Sequence, residues 1–320
     1  MAPRTHSELS LITRIARLYH EEELTQTQIA EALGLSQVAV SRLLKKAAQL
    51  NIVRTTVVSP PGIFSDLEDL VREQFSLQRA IVVGASRDSE EAILPAIGSS
   101  AAHLVESTLR SGEIIGLASG SKALLAMVDQ MHPLARVQDC TVVQIQGGVG
   151  NPSAEKHAHH LVTRFARLVH GDVRFLPTPG IVSSGEVSRI LMQDPAVRQT
   201  LDLFPKITLA LVGVGAPEPS EWVPGSGNVY SESDARILRE AGAAGDIVNR
   251  FFDKNGVEIG KPFGDRIIAI TLEQLRRIRR CVGIAGGARK VNALLGALRG
   301  KYINILVTDQ FTADRLLKAA

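Results

Sequence analysis

The sequence predicts an α/β protein preceded by a small helical head. Three observations lead there. After residue 62, apolar runs rich in Ile and Val recur: AIVVG, EIIGLAS, CTVVQI, ITLALVGVG, RIIAIT, CVGIAGG and INILVTD. Helical stretches separate most of them, at 91–110, 155–169, 232–241 and 288–298. Continuous apolar strands alternating with helices predict a mostly parallel sheet covered on both faces. Before residue 53 the pattern is amphipathic with a helical period instead.

The head reads as three helices. LSLITRIARLYHEE places Leu11, Ile15, Leu18 and Tyr19 on one face. LTQTQIAEAL is a second helix, with Thr25 or Thr27 as its cap. Gly34 turns the chain, and Ser36 caps a third helix, SQVAVSRLLKKAAQLNIV. A short extended run, VRTTVV, follows. SPPG at 59–62 is the strongest break, because two prolines lack donors and stop any helix. The expected organisation is therefore a head at 1–58, a linker at 59–62 and a larger domain at 63–320.

Composition sets wide bounds. The 320 residues are 45% hydrophobic and 22% charged, with a formal net charge of +3, as in a soluble globular protein. Cys140 and Cys281 are far apart, lack zinc-ligand spacing and suit a reducing compartment. No secretory leader is visible, and no apolar stretch nears the ~18 residues that span a bilayer. A cytoplasmic protein without a membrane partner is expected.

Residues 26–45 fit a helix-turn-helix. Ala30 is small where two helices would cross, and Gly34 suits a turn with positive φ. Ile29, Leu33, Leu35, Val40 and Leu43 are spaced to share one core. Gln37, Ala39, Ser41, Arg42, Lys45 and Lys46 are then expected outward on the third helix, with Thr27 and Ser36 beside them. Gln pairs with adenine edges, Arg grips guanine and Lys contacts phosphate. No Asp or Glu lies between Leu35 and Pro60. The segregation matches a DNA-reading helix; the plain alternative is a three-helix bundle with a solvated basic face.

In the larger domain, EIIGLASGSKALLAM runs strand, small-residue turn, helix. Ser119, Gly120, Ser121 and Lys122 would sit at the helix start, where free N–H groups favour an anion. An ordinary strand-to-helix turn is the alternative, and neither a Walker A loop nor a Rossmann fingerprint is present. Gln146, Gly147 and Gly148 end a second strand. Gly286 and Gly287 end another, with Lys290 one turn into the next helix. Ligands of open α/β sheets gather beyond the carboxyl ends of strands. Asp246 would hydrogen-bond hydroxyls of a polyol, or simply cap a helix.

Catalysis is not indicated. Isomerisation or deamination needs a carboxylate or His base beside the sugar carbons, and no such pair is visible. Lys122 and Lys290 read as counter-charges rather than imine formers. In EKHAHH, His157 and His160 lie one turn apart while His159 points elsewhere, which reads as a solvated face rather than a metal site. No metal or cofactor is expected.

The ordered set of motifs resembles the SorC family of bacterial transcriptional regulators, the sugar-binding DeoR-like group. ARLYHEEELTQTQIAEALGLSQVAVSRLLKKA is similar to its DNA-binding head. VVQIQGG, LALVGVGAP, AAGDIVNRFFD, LEQLRRIRRCVGIAGGARKVNALLGAL and INILVTDQFTA are similar to its effector domain, in the family's order. The resemblance implies an effector domain with the fold of sugar-phosphate isomerases and deaminases, without turnover. It implies a sugar phosphate, sugar or polyol as effector, operator DNA as partner, and dimers or tetramers. It maps a phosphate loop to Gly120, Ser121 and Lys122, a ligand-facing turn to Gln146, Gly147 and Gly148, an acidic position to Asp246 and a late lysine to Lys290. Several relatives carry an aromatic residue and an Arg around the loop that here holds Ser119 and Lys122. Position 146 is Gln rather than a basic residue, so no imine forms there. The expected function is sequence-specific transcriptional control of carbohydrate genes. The alternative is an isomerase or deaminase with an added DNA-binding head.

Overall fold

The computed structural model describes residues 6–53, 62–148, 152–216, 232–260 and 264–320. The chain divides into two compact units, Met1–Val58 and Ser59–Ala320. The expected extended run after Val53 and the linker prolines lie outside the described residues.

Among its described residues the first unit is three helices: α1 (His6–His20), α2 (Gln26–Leu33) and α3 (Gln37–Gln49). Thr25, not Thr27, caps α2, in a capping box with Gln28. Gly34 adopts φ 64°, the left-handed conformation that a residue without Cβ enters at little cost. Ser36 caps α3 by accepting a hydrogen bond from the Ala39 N–H at 3.2 Å. Ile15, Ile29, Ala30 and Val40 form the buried centre, with Leu33, Leu35 and Leu43 packed against it. Ile12, Ala16 and Ala47 make a second cluster. Tyr19, expected inward, is exposed, because α1 turns Ile12 and Ala16 rather than Tyr19 toward its neighbours.

The second unit runs α4 (Ser65–Gln74), β1 (Arg79–Val83), α5 (Glu90–Thr108), β2 (Ile114–Leu117), α6 (Lys122–Gln130), β3 (Cys140–Gln144), α7 (Pro152–Leu168) and β4 (Gly171–Arg174). It continues through α8 (Gly185–Leu191), α9 (Pro195–Leu201), β5 (Leu209–Gly213), α10 (Glu232–Glu240), β6 (Ala243–Ile247) and β7 (Arg250–Asp253). It ends with α11 (Leu272–Arg277), β8 (Arg280–Ile284), α12 (Val291–Arg299), β9 (Ile305–Asp309) and α13 (Gln310–Lys318). Seven strands form one sheet in the order β1-β9-β8-β5-β2-β3-β4. Every neighbouring pair is parallel. From β2 the chain moves outward through β3 to β4, then returns to β5 on the other side of β2 and proceeds through β8 to β9. The winding direction therefore reverses between β2 and β5. Such a reversal opens a crevice at the carboxyl ends of the strands.

Three segments differ from the sequence expectation. RIIAIT is not a strand: Ile267 and Ala269 make only isolated bridges, to Ile181 and Gln146. Its residues 267–270 are buried and its backbone bonds go to loops, with Ile268 N–H to Gly180 O and Ile270 N–H to Ile145 O, both at 2.8 Å. An apolar run signals burial without specifying ladder pairing. β4 escapes notice because it is a short edge strand with alternating burial. β6 and β7 form an antiparallel hairpin where no strand was expected. Its turn residues, Val248 and Asn249, have φ 50° and 65°, as a tight hairpin turn requires, without the usual Asn-Gly signature.

Replacing Ser36 with Ala removes the side-chain acceptor that caps α3. The expected outcome is a loss of about 1 kcal/mol from the first unit. Amide exchange across residues 37–49, compared with wild type, measures it.

Candidate functional site

Two sets of residues were expected to act, and each lies within one unit. In the first unit, α3 buries Val40 and Ala47. Its opposite side exposes Gln37, Val38, Arg42, Lys45 and Gln49, and Thr27 is exposed at the first turn of α2. Positions 38, 42, 45 and 49 form one helical stripe. Ala39 and Ser41 are half-buried at its margins. Lys46, expected outward, is half-buried and ion-paired to Glu8 of α1. It lies four residues on from Arg42, yet rotation of the helix carries it to the α1 side. The exposed Val38 was missed: the sequence reading placed it neither in the shared core nor among the outward residues of the third helix.

In the second unit the predicted loops converge at the carboxyl edge of the sheet. Ser121 caps α6, its Oγ accepting from Leu124 N–H at 3.3 Å. Ser119 is buried, and its Oγ accepts from Gln144 Nε2 at 3.2 Å. Both hydroxyls are thus engaged locally rather than simply turned outward. Lys122 is half-buried, with its Nζ 3.2 Å from Glu90 Oε1. A Cβ on Gly120 would stand 3.4 Å from Gln146 Nε2, so the β2 and β3 loops touch. Gly147 and Gly148 donate their N–H groups to Ile268 O and Thr178 O, at 2.9 and 2.8 Å. They shape the turn, and the buried Gln146 side chain is what it presents.

Asp246 is not a helix cap. It lies in β6, exchanging backbone hydrogen bonds of 2.9 and 3.0 Å with Gly215 beyond the end of β5. A Cβ on Gly215 would fall 1.9 Å from Asp246 Oδ1, so only glycine lets the carboxylate lie there. Oδ2 accepts from Asn249 N–H at 3.1 Å. Lys290 ends a short 3₁₀ turn, Ala288–Lys290, and caps α12 instead of lying a turn inside it. Gly286 and Gly287 precede it, and Gly287 N–H donates to Thr312 Oγ1 at 2.7 Å and Asp309 Oδ2 at 3.2 Å.

Electrostatics tie these loops together. Both Asp246 and Lys290 keep some solvent contact but stand deep among protein atoms. Burial raises the Asp246 pKa, and attraction to Lys290 and the Asn249 N–H oppose it. Burial lowers the Lys290 pKa, opposed by Asp246 and Glu90 and reinforced by Arg289 and Lys122. The carboxyl edge thus gathers two carboxylates, Asp246 and Glu90, and two ammonium groups, Lys122 and Lys290. Glu90 is the member that sequence reading missed. It begins the helix after β1, so the strand-end rule would have found it had that loop been considered.

His159 of α7 stacks on Phe175 at 4.3 Å between centroids and pairs with Glu155 at 2.9 Å. Among the described residues, no three His, Cys, Asp or Glu side chains group as metal ligands.

The Asp246 carboxyl generates a prediction with a definite sign. Its folded-state pKa lies above its unfolded value, so its contribution to stability is fully present below the unfolded pKa and is lost as pH rises through the folded one. Wild type is therefore expected to gain stability relative to Asp246→Asn as pH falls from 7 toward 4, read from urea midpoints. Lys290→Met removes an attraction that lowers this pKa, so a carboxyl carbon NMR titration of Asp246 is expected to shift further upward.

Comparison with known proteins agrees with this architecture. The Sugar-bind family profile, a sugar-binding domain, matches residues 60–318, and a MarR family profile matches residues 15–61. The sorbitol operon regulator of Klebsiella pneumoniae is 32% identical over 315 residues, 97% of this chain and 98% of that protein. The deoxyribonucleoside regulator of Bacillus subtilis is 30% identical over 314 residues, 98% of each chain. The crystal structure of the full-length Klebsiella regulator, SorC, superposes with a TM-score of 0.73 at 31% identity, covering 97% of this chain and 99% of that one. The sugar-binding domain of a DeoR regulator from Pseudomonas syringae pv. tomato is 36% identical, with a TM-score of 0.62 over 80% of this chain and 99% of that one. These relatives are regulators rather than enzymes. With a helix-turn-helix head, a parallel-sheet sugar-binding unit and end-to-end similarity to such proteins, the chain belongs to the SorC family of sugar-responsive, DNA-binding transcriptional regulators.

Proposed function

We propose that residues 1–58 read an operator through α3, and that the unit following the linker binds a sugar, sugar phosphate or polyol at the carboxyl edge of its sheet. Gln37, Ser41, Arg42 and Lys45 contact DNA, with Thr27, Ser36, Ala39 and Lys46 at the margin. Lys122 and the α6 start hold an anionic or electron-rich group, and Asp246, Gln146 and Lys290 hold hydroxyls. The observation that carries this reading is the convergence of the β2, β3, β5 and β8 loops at one edge of the sheet, where Asp246 and Lys290 attract each other. The genes controlled are those of carbohydrate use, in the cytoplasm. The described residues contain no helix long and apolar enough to cross a membrane.

Control follows from linkage. An effector changes operator occupancy only by binding one arrangement of the protein more tightly than another. Dimers or tetramers would supply paired heads, and half-sites one helical turn apart, roughly 34–36 Å, or a multiple of it.

Arg42→Ala is expected to weaken operator binding by about 1–3 kcal/mol while the second unit stays folded. Unchanged mobility-shift affinity would remove α3 from the interface. A thermal-shift screen over sugar phosphates, free sugars and polyols is expected to find one class that raises the melting temperature by mass action. Lys290→Ala is expected to abolish that rise and the effector's influence on DNA binding, with DNA affinity itself retained. A full shift in the variant would relocate the site.

A further inference from the structure

Val38 is 79% exposed, the most exposed of the large apolar side chains among the described residues. Nothing in the first unit's packing accounts for it, since α3 directs Val40 and Ala47 into the core from the opposite side. Helix propensity does not account for it either, because a β-branched residue is a weaker helix former than Ala. Val38 lies in the first turn of α3, two residues after the Ser36 cap. It shares its stripe with Arg42, Lys45 and Gln49, and no acidic residue occurs from Leu35 to Val53. That cationic surround matches the charge of a duplex. The first turn of a helix lying in the major groove is the part that reaches base edges. Valine has neither donor nor acceptor, so the base feature it can read there is the C5-methyl group of thymine.

We infer that Val38 is a specificity-determining residue that selects a thymine in the operator by packing on its methyl group. The inference rests on the reading of α3 as the DNA-contacting helix. Arg42 and Lys45 contribute affinity, and Val38 distinguishes sequences through contact with an apolar atom. The discrimination therefore depends on one methyl group and on the side-chain volume at position 38.

The test uses the full chain and a duplex that it selects from a random-sequence pool. Each thymine of the selected site is replaced in turn by deoxyuridine, which removes the methyl and nothing else. Wild type is expected to bind about fourfold more weakly when the contacted thymine is replaced, the value for one apolar carbon returned to water. Val38→Ala is expected to bind the thymine and deoxyuridine duplexes equally, and Val38→Ile to retain the preference. Arg42→Ala is expected to weaken both duplexes and preserve their ratio. Circular dichroism melts matching wild type establish that the variants fold. Wild type that tolerates deoxyuridine everywhere, or Val38→Ala that keeps the preference, overturns the assignment while leaving α3 on DNA. If Arg42→Ala and Lys45→Ala also bind as wild type does, the reading of α3 itself fails, and with it this inference.

Discussion

A parallel sheet that reverses its winding direction cannot close over its own strand ends. Between β2 and β5 the connections diverge, and the backbone beyond the carboxyl ends is left facing a crevice. The rest of the second unit follows from that constraint. The loop after β2 starts α6, the loop after β3 carries Gln146, the chain after β5 meets Asp246, and the loop after β8 delivers Lys290. No one of these segments is a binding site alone. They are brought together because the sheet holds four strand ends side by side.

Polar groups in such a crevice must be held in place, or they satisfy one another at random. Here the fixing is largely done by neighbours that do not face a ligand. Asp309 is fully buried and accepts from Thr312 N–H at 3.0 Å, Thr312 Oγ1 at 2.6 Å and Gly287 N–H at 3.2 Å, which sets the loop leading to Lys290. Arg250 donates to the carbonyls of Gly264, Ile267 and Ala269 at 3.1, 3.3 and 3.2 Å. It thereby joins the hairpin bearing Asp246 to the segment that bridges Gln146. Asp246 and Lys290, like Arg250, are groups whose desolvation is only partly offset by the charges and donors around them.

The head obeys a different economy. A three-helix unit of this size has a small core, so caps and turns matter in proportion. The Thr25 capping box, the left-handed Gly34 and the Ser36 cap fix the angle at which α3 leaves α2. With Val40 and Ala47 turned inward, the geometry of α3 leaves its cationic stripe no role in packing. One helix thus divides between a side that builds the core and a side that stays exposed.

Much of this was legible in the sequence. Hydrophobic period separated helical head from parallel sheet, and turn chemistry located Gly34 and Ser36. Strand-end logic placed the loops bearing Lys122, Gln146 and Lys290 at the sheet edge, since residue type and chain position suffice for that, whereas Asp246 was singled out by residue type alone and reaches the edge through a hairpin that was not expected. What pattern could not show was pairing, which is a property of space. RIIAIT has a strand's composition but bonds to loops, while AAGDIVNRFFD folds back as a hairpin on a turn with no glycine. Nor could it show which hydroxyls and N–H groups are already engaged, as at Ser119, Ser121, Gly147 and Gly148. Glu90 joins Lys122 from 32 residues away, Lys46 is drawn aside by Glu8, and Val38 is turned out by the packing of its own helix. Local sequence determined what each segment would become; contacts between distant segments decided which atoms were left to face a ligand.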